Sequence, residues 1–289
     1  MDVTAGMGGH LQYLSQRLQN DARLFGIDID PMAVSAATDA LSSSGWAVFI
    51  AQGSYSQVDH ISAEWGISQF DGILADLGVS SPQLDNESRG FSFRSDAPLD
   101  LRFDQSSGRP TAAEIIRVEG EKKLADIFYN FGEERQSRRI AKAIVERRRK
   151  QEIRTTGELA EIVRSVIHPP HENKSLARVF QALRIVVNDE LSTLEQSLPR
   201  LVSHLKPGGR LGVISYHSLE DRIVKRFCQS QGVTHRKVES KDALPKLADG
   251  TLPQFEVITR KPIIPSDDEI AQNPRARSAK MRVMERLAS

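Results

Sequence analysis

Short apolar runs and helical stripes alternate along this chain. Residues 23–31 carry Leu24, Phe25 and Ile27 and end in Asp28, Ile29, Asp30 and Pro31; residues 46–51, 70–77 and 210–216 repeat a continuous apolar run bounded by turn residues. Runs of this kind suit parallel strands covered on both faces. Helical patterns intervene, one after His10 to about Leu18 and one over 32–42. Strands alternating with helices predict βαβ units and a mostly parallel sheet, an α/β fold.

The alternation stops near Leu99. Helical spacing then covers 111–116, 119–131, 134–149 and 156–166, with no convincing strand, and His168-Pro-Pro-His-Glu-Asn-Lys174 is a turn-rich break. We expect an all-helical domain at 99–178, inserted between a first α/β part at 1–98 and a second at 179–289. Phe180, Leu183, Val187, Leu191, Leu194, Leu198, Leu201 and Leu205 then share one face of a long helix, which Pro199 kinks or divides and Pro207-Gly208-Gly209 ends. A helix over 219–229 follows the strand at 210–216, and residues 235–239 and 255–260 are expected to close the sheet as an antiparallel pair. The tail beyond Pro262 is polar and basic, with an apolar rhythm at Met281, Val283 and Leu287 that predicts docking.

Composition narrows the function classes. The 289 residues are ordinary for a soluble globular protein, no apolar run is long enough to span a membrane, and no secretory signal is visible. One cysteine, Cys228, excludes an internal disulfide and fits a reducing, cytoplasmic compartment. The seven histidines show no metal-ligand spacing, so no metal is expected. A net charge of +1 means that any nucleic-acid surface must come from local clustering.

In an open α/β sheet, ligands bind beyond the carboxyl ends of the strands. Gly6, Gly8 and Gly9 lie between the chain's first extended segment and a helix, where glycine allows close approach to a ligand and a helix N-terminus favours negative charge. Asp28 ends the next strand, a place from which an acid binds ribose hydroxyls. The pattern fits an adenosine cofactor or simply a tight turn. It departs from the G-x-G-x-x-G of dinucleotide oxidoreductases. Tyr55, just past the third strand, is either an adenine-packing aromatic or a partly buried loop residue.

Asp71-Gly-Ile-Leu-Ala-Asp76-Leu-Gly-Val-Ser-Ser-Pro82-Gln83 is the most informative stretch: a buried strand ending in an acid and opening into a Ser-Pro loop. Enzymes that methylate exocyclic amines often carry an acid or amide here, followed by prolines and an aromatic; this loop has serines and lacks the aromatic. A cytosine N4 amine is a poor nucleophile because its lone pair is delocalised into the ring. A carboxylate accepting its N–H bonds would aim that lone pair at a sulfonium methyl, which lowers the barrier by orientation. Asp76 has either this role or that of a turn cap or cofactor ligand. Ser80, Ser81 and Pro82 shape the pocket, and Gln83 offers an amide to a polar cofactor end. His217 and Ser218 also follow a strand, but the nucleophile elbow G-x-S-x-G is absent; we read Ser218 as a helix cap with Asp221 as its partner.

The helix over 134–149 sets Ile140, Ala141, Ile144 and Val145 on one side and Arg135, Arg138, Arg139, Lys142 and Arg149 on the other. With Arg147, Arg148, Lys150 and Arg154 nearby, this face is either solvated or a phosphate-contacting surface. Arg275 and Arg277 in the tail pose the same alternatives.

Seven separated segments, Asp2-x-Thr-x-Gly-x-Gly-Gly-His10, Asp76-Leu-Gly-Val-Ser-Ser-Pro-Gln-Leu-Asp85, Arg89-Gly-Phe-Ser-Phe93, Pro98-Leu-Asp100, Phe180-Gln-Ala-Leu-Arg184, His217-Ser-Leu-Glu-Asp-Arg222 and Asn273-Pro-Arg-Ala-Arg-Ser278, resemble the RsmH (MraW) family in the same order from end to end. The resemblance implies a class I, Rossmann-like methyltransferase with an inserted helical domain, acting with S-adenosylmethionine on cytosine N4 of small-subunit (16S) ribosomal RNA in the decoding centre. It implies that Gly8, Gly9, His10, Asp28, Tyr55, Asp76 and Gln83 contact the cofactor, and that the partner is an assembled or partly assembled 30S-type subunit. Family chains normally carry a further N-terminal stretch with most of the first strand. Its loss is expected to cost several kcal/mol of a total stability of about 5–15 kcal/mol, and to weaken cofactor binding. Two other readings stay open: an amino-methyltransferase on another nucleic acid, and a ribosome-assembly factor that binds RNA without catalysis.

Overall fold

Among the described residues the sheet is built from seven strands: β1 (Arg23–Asp28), β2 (Ala47–Gln52), β3 (Phe70–Asp76), β4 (Leu205–Ser215), β5 (Gly232–Val233), β6 (Phe255–Val257) and β7 (Lys280–Arg286). They belong to a computed structural model that describes residues 1–18, 21–42, 44–233 and 254–288. β1 pairs parallel with β2, and β3 parallel with β4. Asp2 bridges both halves, pairing parallel with Gly26 on one side and Leu74 on the other. β7 runs antiparallel between β4 and β6, and β5 pairs parallel with β6. The order is therefore β2, β1, residues 1–3, β3, β4, β7, β6, β5.

Periodicity explains why these segments are strands. Phe25, Ile27, Ile73, Ala75, Leu211 and Val213 are all buried in one core with Val3, Leu198 and Leu201. Phe25 stacks on Phe49 across the β1–β2 pair, with ring centroids 4.9 Å apart. The helices α1 (Gly9–Ser15), α2 (Pro31–Leu41), α3 (Val58–Glu64), α10 (Glu190–Ser203) and α11 (Ser218–Gln231) belong to this α/β part. Asp30 caps α2 by accepting from Met32 N at 3.0 Å, and Pro31 occupies its first turn.

The chain divides into two units, Met1–Gly78 with Leu191–Ser289, and Val79–Glu190. The joins expected at 98/99 and 178/179 thus fall at 78/79 and 190/191. The helical unit contains α4 (Ser81–Asp85), α5 (Ala112–Val118), α6 (Glu121–Gly132), α7 (Ser137–Arg148), α8 (Thr156–Val166) and α9 (Glu172–Asn188). Phe91, Leu99 and Leu101 are buried in the same core as Phe128, Ile144 and Leu183, so the irregular segment before α5 is part of this unit. Thr111 with Glu114, and Thr155 with Glu158, form capping boxes that start α5 and α8.

Several expectations are corrected. The single long helix is two helices, and the break is Asp189, in the left-handed region at φ 53°, not Pro199, which lies inside α10. The Asp189 N–H reaches back to the carbonyls of Ile185 and Val186, which ends α9. Pro207-Gly208-Gly209 does not follow a helix but lies within β4, where an irregular register between Phe70 and Gly72 absorbs it. α3 was not anticipated, although Ser54 and Gln57 form a capping box just before it. Phe255–Val257 is a strand, but it pairs with β5 and β7, and residues 235–239 lie outside the described residues.

The basic tail docks as β7, after α12 (Asp267–Gln272) and a 3₁₀ turn at Pro274–Ser278. Its inward residues are Arg282 and Met284, and the rhythm at Met281 and Val283 marks the other face. Arg282 can be buried because Asp221 accepts its Nε at 2.7 Å.

Candidate active site

The carboxyl ends of residues 1–3, β1 and β3 converge on one group of polar side chains in the α/β unit. The turn Ala5–Gly8 opens it. Gly6 N donates to Asp28 Oδ2 at 2.7 Å, and Asp30 N donates to Asp28 Oδ1 at 2.9 Å, so the acid ending β1 is clamped to the turn. Burial is the main influence on Asp28 and raises its pKa. Gly8 precedes α1 at φ +82°, and a Cβ there would lie 3.3 Å from the Leu41 side chain and 3.4 Å from Ala37. Only glycine takes this turn without strain.

Asp76 ends β3, and its backbone and side chain are both held. Its N–H donates to Thr4 Oγ1 at 2.6 Å, and His10 Nε2, in the first turn of α1, donates to its Oδ2 at 3.1 Å. The Asp76 side chain keeps 24% of its surface exposed, while Oδ1 is shielded and has no hydrogen-bond partner of ordinary geometry. The exposed part of the carboxylate is where a ligand's N–H or O–H donor would meet it. The bond to Asp76 raises the pKa of His10, so its imidazolium persists above the usual range.

Two residues not expected on the site, Thr4 and Asp2, hold this geometry. Thr4 N and Oγ1 both donate to Asp2 Oδ1, at 3.0 and 3.2 Å. Asp2 is fully buried, and burial pushes its carboxyl up to about 6. The protonated form is therefore favoured by folding. The stability it contributes is complete below the ordinary pKa of 3.8 and is lost as pH rises through about 6. Over that window this one group is expected to lower stability by up to about 3 kcal/mol. Asp2→Asn keeps an acceptor for Thr4 and cannot ionise. Its urea-unfolding free energy should lack that slope between pH 4 and 7, and a parallel slope in both proteins would refute the assignment.

Tyr216, also unanticipated, follows β4 and faces Asp76. Burial and the Asp76 carboxylate, in that order, hold its phenol well above the usual range. Its position at the end of the apolar run at 210–216 was the available signal. The cap of α11 is His217 rather than Ser218: Glu220 N donates to His217 Nδ1 at 3.4 Å, and His217 N to Glu220 Oε2 at 3.3 Å. Asp221 instead pairs with Arg282, because a capping partner must stand three residues after the cap. Tyr55 begins a 3₁₀ turn and packs partly buried against the sheet core.

In the helical unit, Ser80 caps α4, with Gln83 N donating to Ser80 Oγ at 3.4 Å and Ser80 N to Gln83 Oε1 at 3.0 Å. Ser81 and Pro82 form the first turn. The Ser-Pro segment is thus a short capped helix instead of an open loop. Arg135, Arg138, Arg139, Lys142 and Arg149 are all exposed on or beside α7. Arg148 instead donates to the carbonyls of Ile116 and Glu119, and Arg154 pairs with Glu152 at 2.6 Å. Arg275 and Arg277 are exposed on the 3₁₀ turn before β7.

A mostly parallel sheet with a glycine turn after its central segment, an acid ending the neighbouring strand and a second acid across the gap defines a class I, Rossmann-like methyltransferase domain. Residues 1–287 match the MraW methylase family. The chain is 45% identical over 295 residues to a protein of Afipia carboxidovorans, covering 100% of this chain and 85% of that one. It is 44% identical over 291 residues to one of Heliobacterium modesticaldum (99% and 92%) and 46% over 290 residues to one of Syntrophotalea carbinolica (99% and 91%). All three relatives are named ribosomal RNA small subunit methyltransferase H. The chain belongs to the MraW methylase family.

Proposed function

We propose that this protein transfers a methyl group from S-adenosylmethionine to the exocyclic N4 amine of a cytosine in small-subunit ribosomal RNA. The observation that carries this reading is Asp76, an acid fixed by Thr4 and His10 at the end of β3 with 24% of its side chain still exposed. When bound, S-adenosylmethionine supplies an electrophilic methyl on a sulfonium. Gly8, Gly9 and Asp28 would hold its adenosine part and His10 the edge of its site, while Tyr55 would serve its adenine. The Asp76 carboxylate accepts from the amine and aims the nitrogen lone pair.

The test is transfer of labelled methyl to small ribosomal subunits, naked small-subunit RNA and DNA, with nucleoside analysis of the product. N4-methylcytidine from subunits or ribosomal RNA is the expected result. Cofactor binding with label in DNA would move the substrate, and RNA binding without product would favour an assembly factor.

The exposed cations of α7, with Arg275 and Arg277, would contact RNA phosphates. Replacing Arg138, Arg139 and Lys142 together by Gln leaves the core untouched. It should lower the magnitude of the log K against log salt slope by about 2–3 for this RNA. An unchanged slope would make this face merely solvated.

A further inference from the structure

The Asp76 segment lacks the aromatic residue that amine-methylating enzymes often carry after the acid, yet an aromatic stands beside Asp76 from the neighbouring strand. β3 and β4 are parallel, with Asp76 opposite Ile214 and Leu77 N donating to Ile214 O at 3.0 Å. The residue just past the end of β4, Tyr216, is thereby brought to the same edge as the acid. We propose that the Tyr216 ring is the surface on which the target base stacks while Asp76 accepts from its amine. This inference rests on the functional reading above.

Three observations support it. Tyr216 is only partly buried, and its backbone is anchored, with Tyr216 N donating to Glu220 Oε2 at 2.9 Å. Gly78 lies beside the ring: a Cβ there would make van der Waals contact with Tyr216 Cδ2 at 3.7 Å, so no side chain from this position packs on the ring. The phenol, held protonated beside Asp76, stays a neutral aromatic and adds no second anion to the site. An unstacked base is usually received by an aromatic face together with polar groups at its edge. Tyr216 and Asp76 provide one of each.

The test compares Tyr216→Ala and Tyr216→Phe in the full chain, reading S-adenosylmethionine affinity by calorimetry and kcat/KM on the RNA substrate that the wild type accepts. Loss of a base-stacking ring is expected to lower kcat/KM about 10–100-fold in Tyr216→Ala, with cofactor Kd within about threefold, and Tyr216→Phe should restore most of the loss. An undiminished Tyr216→Ala would overturn the inference. So would a fall in cofactor affinity that matches the fall in kcat/KM, or a Phe variant as impaired as Ala, which assigns the role to the hydroxyl. A wild-type protein that methylates no cytosine overturns the functional reading, and the inference with it.

Discussion

Asp76→Ala should lower kcat by about 10²–10³-fold while cofactor Kd changes by less than about tenfold, a magnitude typical of removing one preorganised polar group from a transition state. Three neighbours spend their polar atoms on this residue: Thr4 on its N–H, His10 on Oδ2, and Asp2 through Thr4. Such convergence fixes the carboxylate in one orientation before any substrate arrives, and orientation is what an amine with a delocalised lone pair needs. Alanine leaves the backbone bond to Thr4 intact and removes the carboxylate, and with it the bond from His10 Nε2. Single-turnover rates at saturating cofactor, beside calorimetric titration, separate the two effects. If affinity falls and the saturated rate does not, Asp76 is a cofactor ligand and the amine is aimed by another group.

Gly90→Ala should destabilise the helical unit by about 3–5 kcal/mol, a size reserved for backbone collisions and buried defects. Gly90 sits at φ +72°, where an L-residue pays about 1–2 kcal/mol for its Cβ. That Cβ would also overlap the Pro98 carbonyl oxygen and lie 3.1 Å from Asp100 N. The opposing segment is not free to yield. Leu99 N donates to Arg154 O, Ala113 N to Leu99 O and Ala112 N to Asp100 O, each at 2.9 Å. Urea unfolding of the full chain, followed by hydrogen exchange at α5 and α8, would measure the loss. A change below about 1 kcal/mol would mean that the segment relaxes more readily than its bonds suggest.

These two sites also mark how far the sequence could be read. The strands of the α/β unit were legible because a buried parallel strand writes itself as an unbroken apolar run, as in Ile73 and Ala75. The end of such a run points at the edge where ligands bind in this fold, so Asp28 and Asp76 could be found as candidates. The role of the Arg89-Gly-Phe segment was not legible, since it depends on a carbonyl that approaches from Pro98. The break at Asp189 was hidden because the apolar spacing continues across it, and a proline nearby offered a more conspicuous stop. β7 was concealed by Arg282, a charge that belongs inside only once Asp221 is known to meet it. Tyr216 and Thr4 could be placed near the edge but not against Asp76, because that relation is made by strand register rather than spacing.

The placement of β7 between β4 and β6 bears on how the molecule is made. Residues 280–286 leave the ribosome after every other strand among the described residues. Until then β4, which carries Tyr216 at its end, presents an unpaired edge, and β6 has no neighbour on the side that β7 will fill. Open edges invite pairing with other chains. A nascent chain that does not yet include β7 should therefore be prone to aggregation and engage chaperones. Emergence of β7, rather than of the glycine turn, would then be the event that completes the sheet.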